Sequence, residues 1–317
     1  MRLKTYFTVF LLCAMATALR GQEDLDKASI AKRLASIMNK NYVYPEKGKA
    51  MHDLILDNLS NEEYTNLDSR DEFAARLEAD LRSIINDKHI RVSHNPGRAA
   101  AMRDRQPGGG RTPPDNYGFK EVSIMEGNIG YLDLRGFMHI GQAEEAARKA
   151  MDELIQADAL IFDLRQNGGG SPSMIRFISS YLFGEEPVHL NDFYWRPSDR
   201  YSESWTQPGE ASQHKPNIPV YVLTSNYTFS AAEEFTYNLK HLKRATIIGE
   251  VTGGGAHPGG PEIIEGDFIV NVPRGRAINP VTKTNWEGVG VIPHIKLPKE
   301  EAMDKALELA RKALSQE

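Results

Sequence analysis

Two short apolar segments, each followed by a turn and then an amphipathic helix, constrain the fold of this chain most. Segment 159–164 is almost wholly apolar, and segment 218–223 is rich in β-branched and aromatic residues. Such strands are typical of parallel sheets covered by helices on both faces. The alternation continues with strand patterns at 129–134 and 245–249 and helical patterns at 143–154 and 173–182. This order predicts an α/β layered domain.

The region before residue 86 has a different pattern, with apolar residues at helical spacing in three successive segments. We therefore expect a small helical N-terminal domain over residues 21–98 and an α/β domain over residues 116–317. Residues 99–115, rich in Gly, Pro and Arg, are predicted to form a linker or loop between them. This linker is too short to hold an additional peptide-binding module.

The first twenty residues have the pattern of a secretory signal peptide. Arg2 and Lys4 give a positive start, residues 7–15 are almost all apolar, and residues 16–18 form a cleavage site. The apolar run is too short to span a membrane. We therefore expect a cleaved signal at 1–20 and a periplasmic or extracellular protein without a stable membrane span.

Charge and cysteine content exclude several functions for the mature chain. Signal removal takes three of the 38 basic residues, which against 43 acidic ones leaves a formal net charge of −8. Nucleic acid is therefore not an expected partner. The only cysteine, Cys13, lies inside the signal and lacks the small neighbours of a lipid-modified cysteine, so no lipoprotein is expected. Cysteine catalysis, disulfides and thiolate metal sites are excluded as well.

Ser230 lies between the strand at 218–223 and a helix that runs to about His241. Residues 230–233 fit a capping box, in which Ser230 would cap the helix and Glu233 would reach back. Alternatively, Ser230 is a nucleophile, because free amides at a helix start stabilise an oxyanion. This segment alone leaves both interpretations open.

A glycine-rich turn at 168–170 follows the buried strand at 159–164. Glycines let backbone amides approach a ligand oxygen closely, as an oxyanion hole or a phosphate site requires. The Gly-Lys-Ser/Thr sequence of a phosphate loop is absent, which argues against nucleotide binding.

A nucleophilic serine needs a base. The histidines in the most suggestive positions are His89, His94 and His257, whereas Lys283 sits in a polar turn, so a histidine is favoured over a lysine. The segment 189–217 holds several aromatic residues. It forms either the wall of a ligand-binding cleft or an ordinary connection whose aromatic side chains pack within the protein.

Four ordered motifs carry a resemblance to a known family. They are Asp-Leu-Arg-x-Asn-x-Gly-Gly at 163–170, the block 224–235, the block 244–255 and Trp-Glu-Gly-Val-Gly-Val-Ile-Pro at 286–293. Together they resemble peptidase family S41, which includes the C-terminal processing proteases and the tricorn protease core. The resemblance covers roughly residues 25–315 and is to the branch of interphotoreceptor retinoid-binding protein rather than to the processing proteases.

The resemblance implies a crotonase-like ββα catalytic domain behind the helical domain, without the PDZ module of the processing proteases. It implies Ser230 as nucleophile, with oxyanion donors at the amide of Ala231 and in the Gly168–Gly169 turn. The processing proteases have a lysine base about 25 residues after the serine, where this chain has Gly255. A serine–lysine dyad is therefore not expected.

The tricorn-like alternative uses a histidine base oriented by a glutamate, and the matching positions are His89 and Glu287. Tricorn has a serine directly before its histidine, whereas this chain has Lys88. His257, in a glycine-rich loop, is the alternative base. The resemblance implies no cofactor and no metal.

The predicted function is an exported serine peptidase that acts on peptide or protein substrates. The alternative is a non-catalytic module that binds a small apolar ligand such as a retinoid or lipid. No pattern in the sequence specifies an oligomeric state.

Overall fold

The computed structural model describes residues 25–104 and 115–316. The predicted signal peptide and most of the predicted linker lie outside these residues. The helices are α1 (Lys27–Asn41), α2 (Pro45–Ser60), α3 (Arg70–Ile84), α4 (Pro96–Arg103), α5 (Ile140–Leu154), α6 (Pro172–Leu182), α7 (Ala231–His241) and α8 (Ala302–Leu314). Because α4 runs to Arg103, the first residues of the predicted linker are helical.

The strands follow the alternation that the sequence predicts, with additional hairpins. They are β1 (Arg91–His94), β2 (Phe119–Met125), β3 (Ile129–Leu134), β4 (Ala159–Asp163), β5 (His189–Trp195), β6 (Arg200–Trp205), β7 (Val220–Thr224), β8 (Thr246–Gly249), β9 (Gly259–Ile263), β10 (Phe268–Pro273), β11 (Gly275–Ile278) and β12 (Ile295–Lys296).

A six-stranded sheet in the order β12-β8-β7-β4-β3-β2 forms the centre of the α/β region. Strands β3, β4, β7, β8 and β12 pair in parallel, and only β2 is antiparallel to its neighbour. The side chains of β4 alternate between the two faces. Leu160 and Phe162 pack with α5, α6 and α7, while Ala159 and Ile161 pack with α8. This explains why β4 is apolar along its length.

The N-terminal helices share a core with strands that come much later in the chain. Helices α1 to α3 pack against β10, whose residues Phe268, Val270 and Val272 are buried in the same cluster as Leu34 and Leu77. Strand β10 lies between β1 and β9 in an antiparallel sheet. The helical region is therefore completed by the β9–β10 hairpin of the C-terminal half.

The aromatic segment forms the antiparallel hairpin β5–β6, which pairs with β11. Phe193 is buried in a small core beside Trp286, whereas Tyr201 and Trp205 are exposed. Packing thus accounts for part of the aromatic content. In the residues that the structure describes, no helix is long and apolar enough to cross a membrane.

Candidate active site

Ser230 lies in the turn between β7 and α7 with a strained backbone. Its φ of 56° and ψ of −117° lie in a region that non-glycine residues rarely occupy. Such a conformation costs on the order of 1–3 kcal/mol and persists only where the surroundings impose it. Here Thr228 Oγ1 donates to Leu164 O at 2.8 Å, and Ser225 Oγ donates to Arg165 O at 2.6 Å. These bonds anchor the turn to the end of the neighbouring strand β4.

The hydroxyl and the backbone amide of Ser230 have different partners. The amide donates to Glu233 Oε2 at 2.8 Å, which is the reach-back half of the predicted capping box. The hydroxyl oxygen Oγ of Ser230 lies 3.0 Å from His89 Nε2. Glu233 thus fixes the start of the helix while the Ser230 oxygen faces a potential base.

His89 lies just before β1, which packs with the N-terminal helices, and its side chain reaches Ser230 from that part of the molecule. Its ring packs against Phe229 with centroids 4.6 Å apart, and its carbonyl accepts from Asn271 Nδ2 at 2.7 Å. Burial lowers the pKa of His89 to about 4, so the ring is neutral near pH 7 and Nε2 can accept a proton. Its Nδ1 has no hydrogen-bond partner among the described residues.

Glu287 and His257 contact each other and not the Ser230–His89 pair. Glu287 Oε2 accepts from Ala256 N at 2.6 Å and lies 3.5 Å from His257 Nδ1. The same Nδ1 lies 2.7 Å from Asp87 Oδ2. His257 Nε2 faces the hydroxyl of Tyr44 at 3.5 Å. The structure therefore brings together Ser230 and His89, and it places Glu287 beside the alternative base.

The glycine turn at 168–170 packs directly against the turn that carries Ser230. A Cβ on Gly169 would lie 2.8 Å from Ser230 Cβ and 2.9 Å from Phe229 O, and its φ of +109° also requires glycine. Gly169 N donates to Asn167 Oδ1 at 2.9 Å and is therefore already engaged. Within the described parts of the chain, the amides of Ala231 and Gly168 have no acceptor. These two remain as candidate oxyanion donors.

Gly255 shows why a lysine base has no room in this site. A Cβ there would lie 2.2 Å from Phe229 Cζ and 2.8 Å from His89 Cε1. Distances below 3 Å require a shift of the neighbouring rings, since interiors are close-packed. The rings of Phe229 and His89 thus occupy the space beside position 255.

Glu233 connects the turn that carries Ser230 to the loop that follows β8. Its Oε2 accepts from the amides of Ser230 and Gly255, each at 2.8 Å. Its Oε1 accepts from Gly254 N at 2.6 Å and from the hydroxyl of Thr252. Burial raises the pKa of Glu233, and these four donors oppose that shift. Sequence reasoning identified only the contact with Ser230, because capping boxes are local.

Asp87 is a buried acid that sequence reasoning did not single out. Its Oδ1 accepts from the His89 amide at 2.9 Å and lies 3.9 Å from His89 Nδ1. The sequence signal for this contact is an aspartate two residues before a histidine in a short loop. An aspartate side chain in a turn commonly accepts a hydrogen bond from the backbone amide two residues later. Asp87, His257 and Glu287 also place potential metal-ligand atoms within 4.8 Å of one another. The bond between Asp87 and His257 accounts for this proximity without a metal.

A cleft of about 420 Å³ opens beside the Ser230–His89 pair. Two cationic side chains lie at its wall, and Tyr227 at its edge is 62% exposed. The cleft is lined by Lys88, His89, Arg91, Gly168, Asn226, Tyr227, Phe229, Gly253 and Asn271.

A parallel sheet with a serine held at a strained strand-to-helix turn is typical of hydrolases with a serine nucleophile. Comparison with known proteins places the chain more narrowly. The profile of peptidase family S41 matches residues 128–297, and the profile of the N-terminal domain of Peptidase_S41 in eukaryotic IRBP matches residues 25–120. The chain belongs to peptidase family S41, which confirms the resemblance in the sequence.

Relatives and solved structures agree with this assignment. The tail-specific protease of Haemophilus influenzae is 31% identical over 138 residues, which cover 43% of this chain and 18% of that protein. The chain thus matches about a fifth of that relative's length. A putative peptidase from Parabacteroides merdae has a TM-score of 0.62 at 20% identity, over 90% of this chain and 96% of that one.

Two further structures support the fold. The photosystem II D1 C-terminal processing protease has a TM-score of 0.56 at 17% identity, over 86% of this chain and 93% of that chain. The tricorn protease has a TM-score of 0.59 at 14% identity, over 91% of this chain and 37% of that chain. The predicted crotonase-like α/β fold with a helical N-terminal region is thereby confirmed.

Proposed function

We propose that this protein hydrolyses peptide bonds with Ser230 as nucleophile and His89 as general base. The observation that carries the proposal is the 3.0 Å distance between Ser230 Oγ and His89 Nε2. Because burial keeps His89 neutral near pH 7, Nε2 can take the hydroxyl proton as Oγ attacks the substrate carbonyl.

The oxyanion that forms would bind the amides of Ala231 and Gly168. Ala231 is the first residue of α7, so the dipole of the helix adds to its amide. Protonated His89 then gives its proton to the leaving amine, and a water molecule, activated by the same histidine, hydrolyses the acyl-enzyme. The family resemblance assigns the role of orienting acid to Glu287.

The cleft beside the pair is the proposed substrate site. Its cations Lys88 and Arg91 are both partly engaged, since Lys88 donates to Gly253 O and Arg91 to Glu78. We propose an exported peptidase that acts on peptides or proteins, with the signal at 1–20, the helical region at 21–98 and the catalytic region at 116–317. Determining the N-terminus of protein recovered outside the cytoplasm tests the export, and an uncleaved Met1 there would contradict it.

Labelling with a fluorophosphonate probe, followed by peptide mass spectrometry, tests the catalytic assignment. We expect the probe on Ser230, no label in Ser230→Ala, and a labelling rate lower by on the order of 100-fold or more in His89→Ala. His94→Ala is the matched control, because His94 lies on β1 and packs against Phe268 instead. Absence of labelling in folded wild-type protein would refute the peptidase mechanism and leave the binding module as the alternative.

A further inference from the structure

The proposed mechanism turns His89 into an imidazolium, whose Nδ1–H needs a stabilising partner. Asp87 Oδ1 lies 3.9 Å from His89 Nδ1 and already accepts the His89 amide at 2.9 Å. Glu287, the acid implied by the family resemblance, is instead directed at Ala256 N and His257. Asp87 is therefore the carboxylate that faces the free nitrogen of the base.

Three donors hold Asp87 in one orientation. Besides the His89 amide, the Tyr42 hydroxyl donates to Oδ2 at 3.1 Å, and His257 Nδ1 lies 2.7 Å from the same oxygen. Asp87 and Tyr42 are completely buried, and His257 is almost completely so. A buried carboxylate with this many donors is rigid and needs little reorganisation when a positive charge forms beside it.

The charges around the pair favour an ionised Asp87 and a neutral Glu287. Burial alone would raise the pKa of Asp87, but the hydrogen bond from His257 and the nearby imidazoles hold it below its usual value. Burial, and next the charge of Asp87, raise the pKa of Glu287 to about 7. Besides burial, the charges of His257 and then of Arg91 disfavour protonation of His89, whereas the charge of Asp87 favours it.

We propose that Asp87 is the positioning residue for His89, and that His257 and Tyr42 hold Asp87 in place. In this arrangement His257 is a support for the acid and not an alternative base. Protonation of His89 draws Nδ1–H toward Asp87 Oδ1, closing the 3.9 Å separation to a hydrogen bond. The inference rests on the proposed roles of Ser230 and His89.

The test compares Asp87→Asn with Glu287→Gln by the second-order rate of fluorophosphonate labelling from below pH 4 to mildly alkaline pH, a range that includes the pKa of His89 at about 4. The carboxamide in Asp87→Asn keeps an acceptor for the His89 amide but loses the charge, so we expect the rate to fall on the order of 100-fold. The acid limb of the profile should also move to lower pH, because the imidazolium loses its stabilising charge. Glu287→Gln should lower the rate by less than about twofold. Asp53→Asn, at an exposed carboxylate, controls for the change in net charge.

Tyr42→Phe provides a second variant that removes one donor from Asp87 and leaves every charge in place. We expect a rate lower by about two- to five-fold, with the largest loss at acidic pH, where a less stabilised Asp87 takes up a proton. If Asp87→Asn does not fold, a loss in Tyr42→Phe that exceeds the loss in Glu287→Gln supports the proposal.

Two results would overturn it. One is a folded Asp87→Asn protein with the wild-type rate and pH profile, and the other is a greater loss in Glu287→Gln than in the Asp87 or Tyr42 variant. Different results would contradict the proposed function itself. These are wild-type protein without the label on Ser230, or His89→Ala protein that labels at the wild-type rate.

Discussion

Replacing Glu233 with glutamine tests whether this buried carboxylate holds the nucleophile turn in its strained conformation. Glu233 accepts from three backbone amides and one hydroxyl. A carboxamide has only one acceptor oxygen. The hydroxyl of Thr252 can reverse and accept from the new NH₂ group, but the amide of Gly254 cannot.

The cost follows from the bonds that are lost. Hydrogen bonds to a charged group contribute about 1.5–3 kcal/mol each, and an unsatisfied buried amide costs a similar amount. With one amide unpaired and two bonds weakened to neutral ones, we expect Glu233→Gln to lower the free energy of unfolding by about 2–4 kcal/mol. At this chain length the melting temperature should fall by about 3–6 °C.

Denaturant titration, thermal melting and fluorophosphonate labelling of the same samples provide the measurement. Labelling of Ser230 should slow by about tenfold, because a looser turn misplaces Oγ relative to His89. Glu234→Gln is the matched control, since burial raises the pKa of the adjacent Glu234 to about 8 and its carboxyl is already neutral near pH 7. Equal stability losses in the two variants would refute the assigned role of Glu233.

Three further outcomes follow from the geometry. Ser230→Gly should be more stable than Ser230→Ala by about 1–2 kcal/mol in denaturant titration, because only glycine relieves the positive φ. Gly255→Lys should lower the free energy of unfolding by about 1–3 kcal/mol or more and should not restore labelling in His89→Ala, because Phe229 and His89 fill the space. The contribution of Glu287 to the free energy of unfolding should fall as the pH rises from about 4.5 through about 7, because the folded carboxyl retains a proton that the unfolded chain releases, and Glu287→Gln should remove this contribution from the pH slope of stability.

Each of these has a contrary result. Equal stabilities of the glycine and alanine variants at position 230 would mean that the turn is unstrained. A Gly255→Lys protein with wild-type stability would show that the rings move aside easily. An unchanged pH slope in Glu287→Gln would assign the slope to another group.

The periodicity of the sequence predicted the elements around the site because each depends on local pattern. The strand before Ser230 and the helix after it were both expected, and the structure has them as β7 and α7. The glycines at 168–170 were expected to let the backbone approach closely, and Gly169 contacts Ser230. These features follow from residues that are neighbours in the chain.

Contacts between distant segments were not predictable in the same way. Asp87 is held by a hydrogen bond from His257, which lies 170 positions later in the chain. Glu233 accepts hydrogen bonds from backbone amides of a loop that has no periodic pattern in the sequence. No pattern in the sequence of the β9–β10 hairpin indicated that it would complete the core of the N-terminal helices. The family resemblance pairs Glu287 with His89, whereas the packing of the loops places Asp87 beside the His89 ring.

The shared core of the N-terminal helices and β10 has a consequence for how the chain matures. During synthesis, the segment that carries His89 emerges long before Phe268, Val270 and Val272, on which its core depends. Contacts so far apart in the chain form late, since a large loop must first be closed. His89 is therefore positioned beside Ser230 only after the C-terminal half has been made. An incomplete chain would lack the assembled Ser230–His89 pair, on which the proposed activity depends.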